Sequence, residues 1–520
     1  MTNKAFRALF WSAVVCALFF RIVRLDVRPM HHDEANQAVK FAALLERGEY
    51  RYDPKDHHGP TLYYLTLPVA RLLGERSLAA VDETTLRLVP ALFGTGTLIL
   101  LLFFAGSLAR ETIVSAAFLA AVSPLLTYYS RFYIQETILA FFLVGFVAAG
   151  WRYLRTRSPA WAAAAGFAAG MMFATKETSV ILFGALATAA VLDLVAGPRP
   201  TSPGARKGQA VLFDIALFLA SAFVTSWLFF TSFLTNPGGL ADSVRAFGGY
   251  LARVGAPGVH AEHWPYYLRM LAFSRFRHGP VWSEAFVLAL AAAGSVFVFV
   301  PGPGHEGRSR LVRFIFFFTV LAAAAYSLIP YKTPWNAVPF YAGAVILAGH
   351  GAAGLLNAAK SSLAKAAVLT LFAAGLLGLT YQDVRANFID FANPTNPYVY
   401  AQTSPDFMKL VRTVQGVAGV SSDRADTLIM VVAPPDETWP LPWSLREFTR
   451  VGFWTDMRRA PKLDVAPIVI VSGSFAEEAG RILGKGYEEA FYGLRPEVVL
   501  ALFVRPDLWD AYVRSSRSSS

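Results

Sequence analysis

Eleven apolar runs divide the first three quarters of the chain. They cover roughly 8–23, 86–108, 112–129, 132–151, 160–175, 178–196, 210–234, 284–301, 311–329, 336–356 and 364–381. Most are about 17–25 residues long, the length of a helix that crosses a hydrocarbon core. None alternates with period two, so they predict helices rather than the strands of a barrel. An α-helix also pairs its own backbone groups, as lipid requires. Long polar connections interrupt the series at 24–85 and 235–283. From about 382 the pattern changes. Helical periodicity at 405–415 and 475–484 alternates with short β-rich runs at 427–432, 466–471 and 497–504. This predicts an all-α polytopic membrane domain of about eleven helices over 1–381. A small α/β domain follows over 382–513, and the Ser-rich end, 514–520, reads as a disordered tail.

Composition supports the lipid solvent. Of 520 residues, 55% are hydrophobic and 16% charged, against roughly 25% charged in soluble domains. The mean hydropathy is +0.43. A soluble protein of this size cannot bury so much apolar surface. The single cysteine, Cys16, excludes an internal disulfide and a cysteine zinc site. Lys4 and Arg7 precede the first run as in a signal peptide. Arg21 and Arg24 follow it where a small-residue cleavage site would stand, so it reads as an uncleaved first helix.

The net charge of +11 reflects topology rather than nucleic-acid binding. With a cytoplasmic N-terminus, the short inner loops hold Arg110; Arg152, Arg155 and Arg157; Arg199, Arg206 and Lys207; Arg308 and Arg310; Lys360 and Lys365. That is a positive-inside distribution. It predicts a multi-pass protein of the plasma or inner membrane. The odd number of spans puts the C-terminal domain outside the cytoplasm. Arg21, Arg24 and Arg28 fall on the outer side against the rule, and an anionic ligand there is one reason for them.

The chemically rich segments share that outer side. The first connection opens with His31, His32, Asp33 and Glu34, and later holds Asp53, Asp56, His57, His58, Gly59 and Pro60. Carboxylates beside imidazoles serve acid–base work or bind a metal. Asp33 and Glu34 on a helix point about 100° apart, so only one can face a given atom. A solvated loop start explains them equally well. Arg131 and Glu136 lie among Tyr128, Tyr129 and Tyr133. An interfacial aromatic belt accounts for the tyrosines, but a carboxylate at the edge of a span needs a partner. Lys176 and Glu177 invite the same two readings, or pair with one another. Arg269, Arg275 and Arg277 suit phosphate or lipid headgroups. Trp439 and Trp443, in a Pro-rich loop, suit stacking on a sugar ring, lying on a membrane, or packing in a core.

Some chemistries are excluded. No GxxxxGK[ST] loop is present for an ATP-driven pump, and no nucleotide cofactor is expected. No Asp-x-Asp pair offers the metal clamp of a soluble nucleotide-sugar transferase.

The order of these segments resembles the GT-C glycosyltransferases, a group that includes protein O-mannosyltransferases and aminoarabinose transferases of lipid A. His31 to Ala35, His57 to Pro60, Thr175 to Glu177 and Tyr331 to Asn336 are most similar to a prokaryotic subfamily associated with flippase activity in archaeal-type protein glycosylation. The resemblance spans about residues 5–380. It implies a polyprenyl-phosphate-linked sugar donor in the outer leaflet and inverting transfer to a protein, lipid or glycan acceptor. Asp33 is then the general base, with Glu34 in reserve and Glu136 a second acid. Arg131, Lys176 and Lys332 hold the donor phosphate. Some members bind a divalent metal and some do not, and His31, His32, His57 and His58 leave that open. Two other readings stand beside it. A flippase or transporter of lipid-linked saccharide predicts polar residues at the membrane midplane and repeated halves, and neither is evident. A non-catalytic partner in a glycosylation pathway is the third.

Overall fold

The computed structural model describes residues 1–55, 58–196, 208–254, 261–299 and 306–518. Each of the eleven apolar runs is helical, but not each is a full span. Among the described residues, eight helices are long and apolar enough to cross a membrane: Asn3–Ile22, Glu83–Phe104, Glu136–Thr156, Ser179–Ala196, Gly208–Phe230, Arg310–Leu328, Pro334–Ala358 and Ser362–Ile389. A ninth is broken into Arg110–Ala121 and Pro124–Ser130, bent by 62°. Pro124 sits at the first position of the second piece, and the Ser123 side chain caps it through Leu126 N. Pro159–Thr175 has 17 residues and Ala285–Phe299 has 15. At 1.5 Å per residue the latter spans only about 22 Å, short of a bilayer core of about 30 Å. Eight of the described helices, or nine with the bent pair, are long enough to be full spans, and Pro159–Thr175 and Ala285–Phe299 complete the eleven expected helices at shorter length.

Helix Pro334–Ala358 lies at the centre, its apolar window 83% buried, whereas Ser362–Ile389 is 6% buried and faces outward. Small residues let the central helix approach its neighbours. A Cβ on Gly351 would fall 2.0 Å from Leu290 O, and one on Gly349 would fall 2.5 Å from Thr112 O.

The first long connection is not a loop. It folds into His32–Arg47 and Thr61–Leu72. Apolar residues at Ala35, Ala38, Phe41, Ala42 and Leu45 bury one face of the first of these. Gly48, at φ +70°, ends it in a conformation that disfavours side chains.

The C-terminal region carries five strands: β1 (Ile429–Val432), β2 (Val451–Trp454), β3 (Ile468–Ser472), β4 (Glu488–Arg495) and β5 (Val498–Val504). Their order is β2-β1-β3-β5-β4, parallel from β2 to β3 and antiparallel from β3 to β4. β3 is buried along its whole length, which explains its unbroken run of apolar residues. Ile468 and Ile470 face one core with helix Phe407–Val420. Val469 and Val471 face the other with helix Ala476–Leu483. The expected tail at 514–520 is corrected: helix Pro506–Ser518 takes in most of it.

Candidate active site

Helix His32–Arg47 begins where the sequence places its acidic pair. His31 is its cap: Nδ1 accepts from Asp33 N at 3.0 Å, and Glu34 Oε2 accepts from His31 N at 3.1 Å. The two bonds close a capping box with histidine in the usual Ser/Thr place. His31 Nε2 lies 2.9 Å from Tyr400 O. A carbonyl only accepts and an amide N–H only donates, so the ring hydrogen sits on Nε2. Both nitrogens of His31 are thereby engaged.

Glu34 and Asp33 have opposite surroundings. Glu34 is fully buried. Arg87 grips it bidentately, Nε to Oε1 and Nη2 to Oε2, both at 2.8 Å, and Tyr133 N donates to Oε1 at 2.8 Å. Burial pushes the carboxyl up, but Arg87 and Arg28 overcome that and hold it down at about 2. Its oxygens have no place left for a proton from substrate. The Asp33 side chain is 42% exposed and sits in the first turn of the helix. Sequence reasoning missed Arg87. The available signal was an arginine inside an apolar run, which needs a buried partner.

The arginines expected on the outer side serve helix ends. Arg131, expected at a donor phosphate, donates to Phe20 O (2.9 Å), Arg21 O (3.3 Å), Val23 O (2.7 Å) and Arg24 O (2.8 Å). It caps the first span, and its guanidinium lies 4.6 Å from the Phe388 ring centre. Arg21 does the same for the broken helix, donating to Ala120 O and Ala121 O. Arg28 donates to Arg131 O and packs over the Tyr128 and Phe132 rings. Carbonyls at helix C-termini carry partial negative charge, and Arg131 and Arg21 answer to them, while Arg28 also lies 3.9 Å from Glu34 Oε1. Arg24 is exposed.

Lys176 pairs with Glu136, both buried, and not with Glu177. Glu136 Oε2 is buried without a hydrogen-bond partner among the described residues. Glu177 instead holds His58, Nδ1 to Oε2 at 2.9 Å, and accepts from Tyr52 OH at 3.2 Å. Burial raises the Glu177 carboxyl, but His58 brings it below its ordinary value. Gly59 permits this contact: a Cβ there would fall 2.0 Å from Ala174 O. Asp56 and His57 lie outside the described residues, as do Arg199, Arg206 and Lys207.

Lys332 is buried and donates to Glu262 O and Ile329 O, both at 2.7 Å. Neither carbonyl carries formal charge. Three residues on, the Trp335 ring centre lies 6.0 Å from His31, 6.1 Å from Phe132, 6.2 Å from Tyr129 and 5.5 Å from Tyr400. These rings knit the segments at 31–34, 128–136 and 331–336 together, although they are far apart in sequence. Trp443 is buried and donates to Glu83 Oε1 at 2.7 Å, so it packs in a core. Trp439 is half-buried, its ring 5.9 Å from that of His32. Among the described residues no three His, Cys, Asp or Glu side chains gather to hold a metal.

Residues 57–228 match the family model described as dolichyl-phosphate-mannose-protein mannosyltransferase. ArnT from Cupriavidus metallidurans, in a crystal structure with undecaprenyl phosphate, is similar over 96% of this chain and 98% of its own, with a TM-score of 0.62 and 14% identity. The chain has the GT-C membrane fold of that structure. The fold recurs in the Saccharomyces cerevisiae protein O-mannosyltransferase Pmt1-Pmt2 complex bound to sugar donor. There the TM-score is 0.58 at 11% identity, over 80% of this chain and 92% of that one. The Archaeoglobus fulgidus oligosaccharyltransferase tethered to an acceptor peptide gives a TM-score of 0.52 at 13% identity, over 95% and 74%. No curated protein sequence matches. The α/β region continues the likeness to ArnT beyond the segment matched by the family model.

Proposed function

We propose that this enzyme transfers a sugar from a polyprenyl phosphate to an acceptor on the extracytoplasmic face, with inversion, and that Asp33 is the general base. The observation that carries the reading is the division of labour in the acidic pair. Glu34 is consumed by Arg87, Tyr133 N and His31 N, and Asp33, oriented by the same helix start, is left partly exposed. In the reaction the acceptor oxygen attacks the anomeric carbon. The bond from that carbon to the phosphate oxygen breaks, and polyprenyl phosphate leaves with the electron pair. Asp33 takes the acceptor proton. A positioned base of this kind contributes about 10²–10⁴-fold.

Lys332 is the favoured anchor of the donor phosphate. Its ammonium donates to two carbonyls and makes no ion pair among the described residues, the Glu262 carboxylate acting on it only through space, whereas Lys176 is neutralised by Glu136 and Arg131 is spent on a helix end. Glu136 is a second acid beside the site through its unpartnered oxygen. The short motifs at 31–35, 57–60, 175–177 and 331–336 favour the flippase-associated subfamily. Transport itself is less favoured. The Asp, Glu, Lys and Arg side chains of the described spans stay within about two turns of a helix end, leaving no charged midplane site.

The test is release of polyprenyl phosphate by purified protein from a panel of polyprenyl-phosphate sugars, with a cell-envelope extract as acceptor. Wild type should release it from at least one donor, and Lys332→Met should raise KM for that donor more than it lowers kcat. No release from any donor would count against the reading.

A further inference from the structure

The Pro-rich stretch of the C-terminal domain is fastened to the membrane domain next to Asp33. Trp443 is hydrogen-bonded to Glu83, and Arg446 lies 3.7 Å over the Trp443 ring and donates to Val81 O at 3.0 Å. Helix Leu441–Ser444 packs on helix His32–Arg47. Between these anchors and β1 the chain turns Trp439 toward His32, the residue before Asp33. Arg495, at the end of β4, donates to Asp436 O at 2.9 Å and meets Asp436 Oδ2 at 3.4 Å. The Asp436 side chain is 73% exposed. His32 lies within electrostatic reach of Asp33, Arg495 and Asp436 together. The group is therefore a half-buried indole against His32, the residue before the proposed base, with the Asp436–Arg495 pair within electrostatic reach of the same imidazole.

We infer that Trp439, with the nearby Asp436–Arg495 pair, is the acceptor subsite and that the acceptor is a saccharide; this rests on the reading of Asp33 given above. A pyranose ring has a face of C–H bonds and an edge of hydroxyls. An aromatic plane covers the first, and a carboxylate and a guanidinium satisfy the second by directed hydrogen bonds. A ring seated on Trp439 turns one hydroxyl toward Asp33 and extends the rest of the glycan along the C-terminal domain. Pockets of this kind pair an apolar aromatic surface with a few placed polar groups.

Saturation-transfer NMR on the purified full-length protein tests it, with methyl glucopyranoside, galactopyranoside and mannopyranoside as probes and a Ser/Thr-containing peptide as competitor. At least one glycoside should receive saturation at its ring C–H protons. The signal should fall roughly 2–10-fold in Trp439→Ala, recover in Trp439→Phe, and persist in Trp264→Ala, which removes an exposed indole elsewhere. Asp33→Asn should bind the glycoside and fail only in turnover. Absence of saturation in wild type, its survival in Trp439→Ala, or Trp439-dependent saturation of the peptide alone would each overturn the subsite. If Asp33→Asn turns over normally while Trp439-dependent glycoside binding stands, the base assignment falls and the subsite remains.

Discussion

Asp33 and Glu34 are adjacent and chemically alike, yet their substitution should fail in different ways. Glu34→Gln leaves Arg87 buried without its counter-charge, an effect of about 3–5 kcal/mol. The expected outcome is a lowered melting temperature in detergent and a reduced yield of folded protein, with kcat per folded molecule much less affected. The pH dependence follows from the depressed carboxyl. A group held at about 2 against 4.5 when unfolded stabilises the protein fully above 4.5. That contribution is lost as pH falls toward 2. The difference in melting temperature between wild type and Glu34→Gln should therefore be constant from pH 7 to about 5.5 and shrink below 4.5. A difference independent of pH down to 3 would contradict the ion pair. The identity of the acidic pair was legible in the sequence because its spacing on a helix allows only one residue to face the site. The resemblance put Asp33 ahead of Glu34, but the partner that buries Glu34 was not legible, since Arg87 comes from another span.

Helix ends explain what the pattern of charge alone could not. Basic residues on the outer side suggested an anionic ligand, but Arg131 and Arg21 cap two different helices from one another's neighbourhoods. Arg131→Met should lower the melting temperature and leave donor KM unchanged. A raised donor KM at unchanged stability would return Arg131 to the phosphate. Lys176 and Glu136 test pairing between helices in the same way. Lys176→Met isolates a buried carboxylate and should cost about 3–5 kcal/mol. Adding Glu136→Leu should restore most of it, giving a large coupling energy in a double-mutant cycle. Additive effects would show that the two side chains do not interact. The apolar runs located every described helix long and apolar enough to span, because lipid imposes length and composition directly. They could not reveal the break at Pro124 or the short helix Ala285–Phe299. The buried Glu284, which ties these together through Ser123, Leu125 N, Tyr341 and Tyr398, reads in sequence as one more loop acid.

For the whole molecule, the account requires Asp33, Glu136, Lys176, Lys332 and the C-terminal domain to share the extracytoplasmic face. Single cysteines at residues 33, 332 and 436 in a Cys16→Ser background should react with an impermeant reagent from outside only. Labelling of residues 33 and 332 from opposite sides would refute the arrangement. The strands β1, β3 and β5 could be read from short β-rich apolar runs. The edge strands β2 and β4 could not, because their exposed, mixed sequences carry little apolar signal. Nor could the docking of Trp443 on Glu83 be read, since it joins residues 360 positions apart. The most direct measurement of the central claim is turnover by folded, membrane-inserted Asp33→Asn on the polyprenyl-phosphate sugar that wild type uses. The account predicts a fall in kcat of about 10²–10⁴-fold with donor binding close to wild type; near-wild-type turnover would contradict it.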